Sequence, residues 1–460
     1  MKSSFAQQLS SGLVGKVIYP LWTIRDHPTY LNYAKAFARD QYLSPSRLEA
    51  VQIERLRIQL THAYKNIPFY RRRMEKLGIT PFDITSLSDF KKFPVVTKQD
   101  VQNHKPEMMA QNIPEKLRVR NQSGGSTGIP LQFWVDKERF DSRRASTDRH
   151  NSWAGLRPGD WCAQLWGAKI DVGDSSTPRV TWRQRMLHRM LPLNTVSIGP
   201  NDLNAYIEIL RRYRPRHMVA YAQSAVMFAR HCAEVGADDI RFDSMITTAE
   251  ILRPEDRAFL EETFRGKVFN RYGCREISVL ASECEYHTGM HVNADALILE
   301  IEPVAGASGN MGRVLVTDLF NRSMPLIRYE IGDMASWSED SPCPCGRSLP
   351  RLANIDGRVT DFLRLPDGTL LSGIALATLV IADLPGLRQV QFVQRGATHV
   401  HLNVVAIAGQ ATDAVDELKR RLNFYLRDTM QLSTSLVDSI PCEASGKFRF
   451  VKTELQTLVA

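Results

Sequence analysis

The sequence predicts an α/β protein: a large, multi-layered N-terminal body followed by a smaller α+β C-terminal domain. Three observations predict it. Apolar residues recur at helical spacing through the first hundred positions. From about residue 115, short β-like runs alternate with amphipathic helices. The pattern then breaks near Asp356-Gly357-Arg358 before a further set of strands and a helix. The 460 residues amount to about three times the ~150 of a single domain, which suits a body of residues 1–357 and a second domain of 358–460.

Taken in order, Ser44-Pro45 supplies an N-cap and a first-turn proline, and Leu48, Val51, Leu56, Leu60 and Ala63 follow helical spacing toward Pro68. Thr97-Lys98-Gln99-Asp100 reads as a capping box that opens another helix. Strands are expected at 218–221 and 244–248, each followed by a helix, at 225–235 and 254–264. Residues 296–301 and 312–317 read as two strands around a glycine-containing turn, so antiparallel pairing should join the parallel part. Beyond the break come a strand at 362–365, a Pro-Asp-Gly turn, a helix near 375–384, strands at 390–394 and 400–405, a helix at 412–429 and a final strand at 435–440. There is no internal repeat and no low-complexity tract.

Composition narrows the function. Hydrophobic residues make up 43% and charged residues 24%, which excludes a disordered, collagenous or coiled-coil chain. The net charge of +9 is a mild excess for this length; it suits anionic small molecules and gives no reason to expect a nucleic-acid partner. No charge-free apolar run approaches the ~20 residues of a spanning helix, so integral membrane association is not expected. Residues 12–22 are apolar but short, interrupted by Lys16 and Pro20, and lack a small-residue cleavage site. A packed N-terminal arm is expected there, in preference to an interfacial anchor or a secretory signal. The seven cysteines, odd in number and sparse, then suit a reducing cytoplasm.

Two constellations carry chemistry. Ser123-Gly124-Gly125-Ser126-Thr127-Gly128-Ile129-Pro130 packs three glycines and three hydroxyls into eight residues. Such a loop lets backbone N–H groups wrap phosphate oxygens while hydroxyls add hydrogen bonds; a Ser/Gly connector is the plain alternative. No lysine follows the last glycine, so it is not a P-loop. Cys343-Pro344-Cys345-Gly346, with Cys284 and either His287 or His291 upstream, forms a Cys₃His set suited to structural zinc. Four protein ligands would leave no open position for catalysis. The basic clusters Arg139/Arg143/Arg144, Arg183/Arg185/Arg189 and Arg211/Arg212/Arg214/Arg216 read as solvated helix faces.

The Gly-rich loop does not stand alone. It is followed in order by Arg271-Tyr272-Gly273-Cys274-Arg275-Glu276, by Pro325-Leu326-Ile327-Arg328-Tyr329-Glu330-Ile331-Gly332-Asp333, by Gly357-Arg358-Val359-Thr360-Asp361 and by Ser445-Gly446-Lys447-Phe448-Arg449. Together these segments resemble the adenylate-forming superfamily, and within it the phenylacetate–CoA ligase branch with its CapK-like relatives. Asn66-Ile67-Pro68-Phe69-Tyr70 and Phe93-Pro94-Val95-Val96-Thr97-Lys98 are typical of that branch, and the resemblance runs from about residue 40 to the C-terminus.

The resemblance implies an adenylate-forming body with a mobile C-terminal lid that joins a carboxylic acid to the α-phosphate of ATP and then passes the acyl group on, with coenzyme A as co-substrate. Bringing two anions together demands cationic stabilisation, which the resemblance assigns to Lys447. It assigns Mg²⁺ to Glu276, the adenine to Tyr272 and Gly273 with Ala249 and Glu250, the ribose to Asp333 with Arg358 nearby, and the hinge to Asp361. Ser123, Gly124, Gly125, Ser126, Thr127 and Gly128 would take the phosphates. Trp166, Tyr221 and Cys274 border the implied acyl pocket, where the tryptophans permit an aryl acid. CapK-like relatives carry a comparable Cys and His arrangement, and register within it favours His291 over His287 for zinc. Leu131 stands where many superfamily members have lysine, a departure shared with the phenylacetate-ligase branch. Cys274 and Arg275 depart from the commoner Thr, Leu or Ser. Three readings remain open at this stage: transfer to coenzyme A, transfer to an amine, hydroxyl or carrier-protein thiol, and a non-catalytic nucleotide-binding scaffold. A homodimer is also left open.

Overall fold

The computed structural model describes residues 12–122, 131–166, 187, 189–195, 200–304, 307, 310–339, 342–358, 362–367, 370–372, 376, 381, 384–407, 411–441 and 449–454. The chain divides into two compact units. One comprises Met1–Glu300, Leu315–Ile331 and Ser338–Ala353; the other comprises Ile301–Val314, Gly332–Trp337 and Asn354–Ala460.

The first unit opens on a π-helical turn, Val14–Ile18, that runs into helix α1 (Tyr19–Asp26). Then come α2 (Tyr30–Asp40), α3 (Pro45–Asn66), α4 (Pro68–Leu77), α5 (Leu87–Phe90) and α6 (Lys98–Asn103). Helix α3 starts where the sequence puts its start, with Ser44 extended and Pro45 in the first turn. Its buried stripe is Leu48, Ile53, Leu56, Leu60 and Ala63, and Ile67 leaves the helical region because Pro68 follows it. The capping box of α6 forms in both directions: the Asp100 N–H donates to Thr97 Oγ1 at 3.1 Å and the Thr97 N–H to Asp100 Oδ2 at 2.9 Å.

Strands β1 (Arg118–Gln122) and β2 (Gln132–Asp136) pair antiparallel, and α7 (Lys137–Trp153) follows directly. Next in the chain are β3 (Cys162–Trp166), β4 (Met190–Asn194), α8 (Pro200–Tyr213), β5 (His217–Tyr221), α9 (Ala222–Glu234), β6 (Ser244–Thr248), α10 (Pro254–Phe264) and β7 (Lys267–Cys274). Strands β3 to β7 are parallel, in the order β4-β3-β5-β6-β7. Alternate residues serve opposite faces. Ala163, Leu165, Met218, Ala220, Met245 and Val268 pack on α8, α9 and α10, around Phe228, Leu260 and Phe264. Cys162, Val219, Ile246 and Phe269 line the other side with Ala154 and Leu156. Burial on both faces explains why these strands read as apolar runs. At ~1.5–3 kcal/mol for each large side chain, this core is the main stabiliser of the unit.

The sheet continues through β8 (Ser278–Glu283), β9 (Met290–Val292), β10 (Leu297–Pro303), β11 (Met311–Asp318), β12 (Tyr329–Trp337) and β13 (Arg351–Arg358), in the full order β10-β11-β12-β13-β9-β8-β7-β6-β5-β3-β4. Strand β8 pairs antiparallel with both β7 and β9, so the expected mixture of parallel and antiparallel pairing is present.

Helix α7 corrects one expectation. Its arginines do not form a solvated face: Arg139 is 4% exposed and Arg149 7%. Arg139 Nε donates to Asp318 Oδ2 at 2.6 Å, and Arg149 makes a two-pronged pair with Asp295 at 2.6 and 2.8 Å. A helix this polar can be buried because its charges are matched one by one.

In the second unit, β14 (Phe362–Arg364) pairs with β15 (Leu370–Ser372). A four-stranded sheet has the order β18-β17-β16-β19, from β16 (Leu387–Gly396), β17 (His399–Ala406), β18 (Gln431–Leu436) and β19 (Val451–Thr453). Helix α11 (Ala411–Leu426) covers it through Ala414, Leu418, Leu422 and Leu426, which meet Phe392, Val400, Leu402 and Val404. The expected strand at 435–440 starts earlier, at Gln431, and β19 was not anticipated. Both are parallel additions to the β16–β17 hairpin, whose pairing partners are remote in sequence. The helix expected near 375–384 falls mostly outside the described residues.

Candidate functional site

The carboxyl ends of the parallel strands come level with one another. Tyr221 is in register with Thr248, and Thr248 with Arg271; Leu165, one residue before Trp166, is in register with Ala220. Open α/β sheets bind ligands beyond this edge. Trp166 and Tyr221 meet there with ring centroids 4.6 Å apart at 49°. Just past β6 the chain turns through Ala249 at φ 68°, a left-handed conformation that costs an alanine roughly 1–2 kcal/mol. The turn sets the Glu250 carboxylate to accept the Gln223 N–H at 2.8 Å. Thus the structure brings Trp166, Tyr221, Ala249 and Glu250 to one edge.

At the end of β7 the chain doubles back into β8. Gly273 is required there: a Cβ on it would lie 2.6 Å from the Ser278 carbonyl oxygen. Tyr272 is 8% exposed, and a bulge separates it from Gly273. Cys274 pairs with Ser278 across the hairpin, leaving Arg275, Glu276 and Ile277 as its tip. Two contacts fix that tip. Arg139 Nη2 donates to the Ile277 carbonyl at 2.5 Å, and Arg275 Nε donates to Asn121 Oδ1 at 3.0 Å. Asn121 sits near the end of β1, whose register with β2 runs to Gln122 and Gln132. The chain therefore enters the expected phosphate loop beside the hairpin that carries Glu276.

Cationic charge collects near this tip. Burial, together with the neighbouring Arg139, brings the Arg143 guanidinium down to about 10 despite the pull of Cys274. Burial likewise holds Arg271 down to about 10, and its Nη2 donates to Asn151 Oδ1 at 2.7 Å. Arg139 and Arg143 were missed as site residues because basic side chains on a polar helix read as solvated. The usable signal is the series Ser142, Ala145, Ser146, Arg149 and Trp153 at helical spacing beside them, which marks a buried face.

The remaining expected residues distribute differently. Ser123, Gly124, Gly125, Ser126, Thr127, Gly128, Asp361 and Lys447 lie outside the described residues. Asp333 is on β12, half-buried, next to Gly332 at φ 90°. Arg358 ends β13. The Lys447 segment is followed by firmly held backbone: the Phe392 N–H donates to the Phe450 carbonyl at 2.7 Å and Gln391 Nε2 to the Arg449 carbonyl at 2.9 Å.

The second constellation converges. Cys284, His291, Cys343 and Cys345 each offer a ligand atom, and these atoms lie within 4.8 Å of one another. Tetrahedral zinc, with bonds of about 2.3 Å to sulfur and about 2.0 Å to nitrogen, spaces its ligands roughly 3.5–3.8 Å apart. The Cys284 and Cys343 sulfurs are 3.7 Å apart, and Cys345 Sγ is 3.3 Å from His291 Nε2. His291 Nδ1 lies 3.0 Å from the Leu349 carbonyl, which fixes Nδ1 as donor and leaves the Nε2 lone pair facing the thiols. Burial lowers this imidazole to about 4 and raises the Cys284 thiol to about 12, so the histidine is neutral as a ligand must be. His287 takes no part; it faces Glu283 at 3.1 Å.

Comparison with known proteins bears on most of the chain. Residues 363–454 match the CapK C-terminal domain. The chain is similar to a phenylacetate–coenzyme A ligase of Thermus thermophilus, 26% identical over 70% of this chain and 72% of that one. It is also similar to Protein CapK of Staphylococcus aureus, 23% identical over 84% and 85%, and to a phenylacetate–coenzyme A ligase of Pseudomonas putida, 25% identical over 85% and 90%. Among solved structures, 2-hydroxyisobutyryl-CoA ligase in the postadenylation state with R3-HIB-AMP superposes with a TM-score of 0.74, at 20% identity, over 91% of this chain and 92% of that one. Motif order and similarity along most of its length support the adenylate-forming superfamily, in the branch of the phenylacetate–coenzyme A ligases and CapK, and the fold is that of the CoA ligase structures.

Proposed function

We propose that the protein is an ATP-dependent, AMP-forming ligase that adenylates a carboxylic acid and transfers the acyl group to coenzyme A. The observation that carries the reading is the hairpin tip of Arg275, Glu276 and Ile277, tied by Asn121 to the start of the Gly-rich loop at the carboxyl edge of the parallel strands. Around such an edge Ser123 to Gly128 cradle the phosphates of ATP, Tyr272, Gly273, Ala249 and Glu250 border the adenine, and Asp333 with Arg358 hold the ribose. Glu276 supplies a hard oxygen ligand for Mg²⁺, which offsets phosphate charge when bound. Lys447 bridges the attacking carboxylate and the α-phosphate, and rotation about Asp361 brings it in and removes it. Trp166, Tyr221 and Cys274 face the acyl group, and the paired rings favour an aryl acid. The Cys284, His291, Cys343 and Cys345 set holds zinc in a structural role.

A second reading keeps the adenylation and changes the acceptor to an amine, hydroxyl or carrier-protein thiol. The match of residues 363–454 to the CapK C-terminal domain favours keeping it. One experiment separates them: pyrophosphate release with ATP, Mg²⁺ and a panel of aryl, fatty and sugar carboxylic acids, each with and without coenzyme A. A carboxylate-dependent signal that coenzyme A accelerates is expected. Lys447→Ala should lower it by about 10²–10³ while ATP still binds. Near-normal release in that variant would remove Lys447 from the mechanism, and release indifferent to coenzyme A would favour the second acceptor class.

A further inference from the structure

The N-terminal arm turns its faces the opposite way from an ordinary surface helix. Its polar side faces inward, onto α7. Tyr19 and Tyr30 hydroxyls both donate to Asp148 Oδ2, at 2.7 and 2.8 Å. His27 Nδ1 lies 2.6 Å from Asp141 Oδ1, and the Thr29 N–H and hydroxyl donate to Asp141 Oδ2 at 3.2 and 2.6 Å. Arg144 caps the arrangement, with Nε on the Tyr19 hydroxyl at 2.8 Å and its guanidinium 4.4 Å from the Trp22 ring centroid.

The aliphatic side faces outward. Leu13 is 56% exposed, Val17 46%, Leu21 64% and Ile24 56%. Leu21 and Ile24, three residues apart on α1, fall within roughly 60° of each other, and Leu13 and Val17, about one turn apart around the preceding π-helical segment, extend the stripe. Exposed Lys16 and Arg25 lie on the two rims of that stripe, with Arg25 also paired to Asp26 at 2.8 Å. The bonds to Asp141 and Asp148 fix the arm in this orientation, so the apolar stripe is a built surface. A packed arm was expected here, and it is packed, but through the side that leaves its aliphatic residues free.

Charge selects the occupant. The described arm carries Lys16, Arg25, Lys35 and Arg39 against Asp26 and Asp40, with Arg39 paired to Asp40 at 2.7 Å. A second copy docked through the same stripe would set basic rims against basic rims, whereas an anionic lipid surface neutralises them and accepts the aliphatic side chains between its headgroups. None of the helices described is long and apolar enough to cross a membrane, so the contact is with the surface. We propose that this arm is an interfacial element that docks the protein on anionic membranes, a property that does not depend on the ligase reading.

The test is co-sedimentation of the full chain with phosphatidylcholine vesicles containing about a quarter phosphatidylglycerol, against phosphatidylcholine alone. The protein should pellet with the anionic vesicles, less so at high salt. Val17→Glu with Leu21→Glu should weaken partitioning at least about tenfold, and Lys16→Gln about fivefold. The thermal unfolding temperature should stay unchanged, because these side chains touch solvent. Failure of the wild-type chain to pellet, or equal pelleting of the Val17/Leu21 variant, overturns the proposal. So does a concentration-dependent dimer that the same substitutions dissolve in the absence of vesicle binding, since that assigns the stripe to a second copy.

Discussion

Arg149 illustrates what one buried charge requires of its surroundings. Its guanidinium takes both Asp295 oxygens, the Asn293 side-chain oxygen at 2.5 Å and the Phe37 carbonyl at 2.9 Å. Asp295 is fully buried, and its carbonyl accepts from Arg55 at 2.5 Å. Removing one partner strands the other charge in the interior, whereas removing both leaves only a packing problem. Asp295→Ala should therefore cost about 3–5 kcal/mol, read from the midpoint of urea unfolding. The double variant Asp295→Leu with Arg149→Met should recover much of the loss. If the double variant were as unstable as the sum of the singles, matched charge would not be the reason this pair persists.

At the scale of an element, the 343–349 segment is held by individual contacts more than by a regular backbone. It has no regular secondary structure between Cys343 and Leu349, yet the Gly346 N–H returns to the Cys343 carbonyl at 3.1 Å and the Arg347 N–H reaches Cys345 Sγ at 3.4 Å. Cys343→Ser with Cys345→Ser should take bound zinc from about one per chain to none and lower the unfolding temperature; unchanged metal content by elemental analysis would sink the zinc assignment. Elements also mark where the sequence could be read. Helix α3, the α6 capping box and the β5 to α10 succession follow from signals carried within a few residues. The parallel pairing of β18 and β19 depends on partners far away in the chain, which no local pattern reveals. The burial of Arg139 and Arg149 depends on Asp318 and Asp295, whereas the Cys and His set was legible, including the preference for His291, and the fold adds its convergence. The Gly-rich loop and Lys447 remain sequence inferences.

Across the whole molecule, neutral imidazoles are held in the interior at several separate places. Burial pushes His62, His150 and His217 below the usual histidine range. The unfolded chain binds protons at these sites near pH ~6.5, whereas the folded chain resists until its own lower values. Stability is thus complete above that pH and declines as pH falls toward the folded-state values. Unfolding temperatures measured from about pH 7.5 down to about 5.5 should fall, and His150→Leu should make the decline shallower. A flat profile would mean that the imidazoles stay uncharged in the unfolded chain as well. The thiol loop has a further reach. Ser348 donates its N–H to the Gln41 carbonyl at 2.9 Å, and Arg347 Nε donates to Gln41 Oε1 at 3.2 Å, the oxygen that also accepts from Trp153 Nε1. Gln41 lies at the junction of α2 and α3, some three hundred positions earlier in the chain. Loosening of the thiol loop should therefore show first as a protease nick near residue 41, between the N-terminal arm and the helices that follow it.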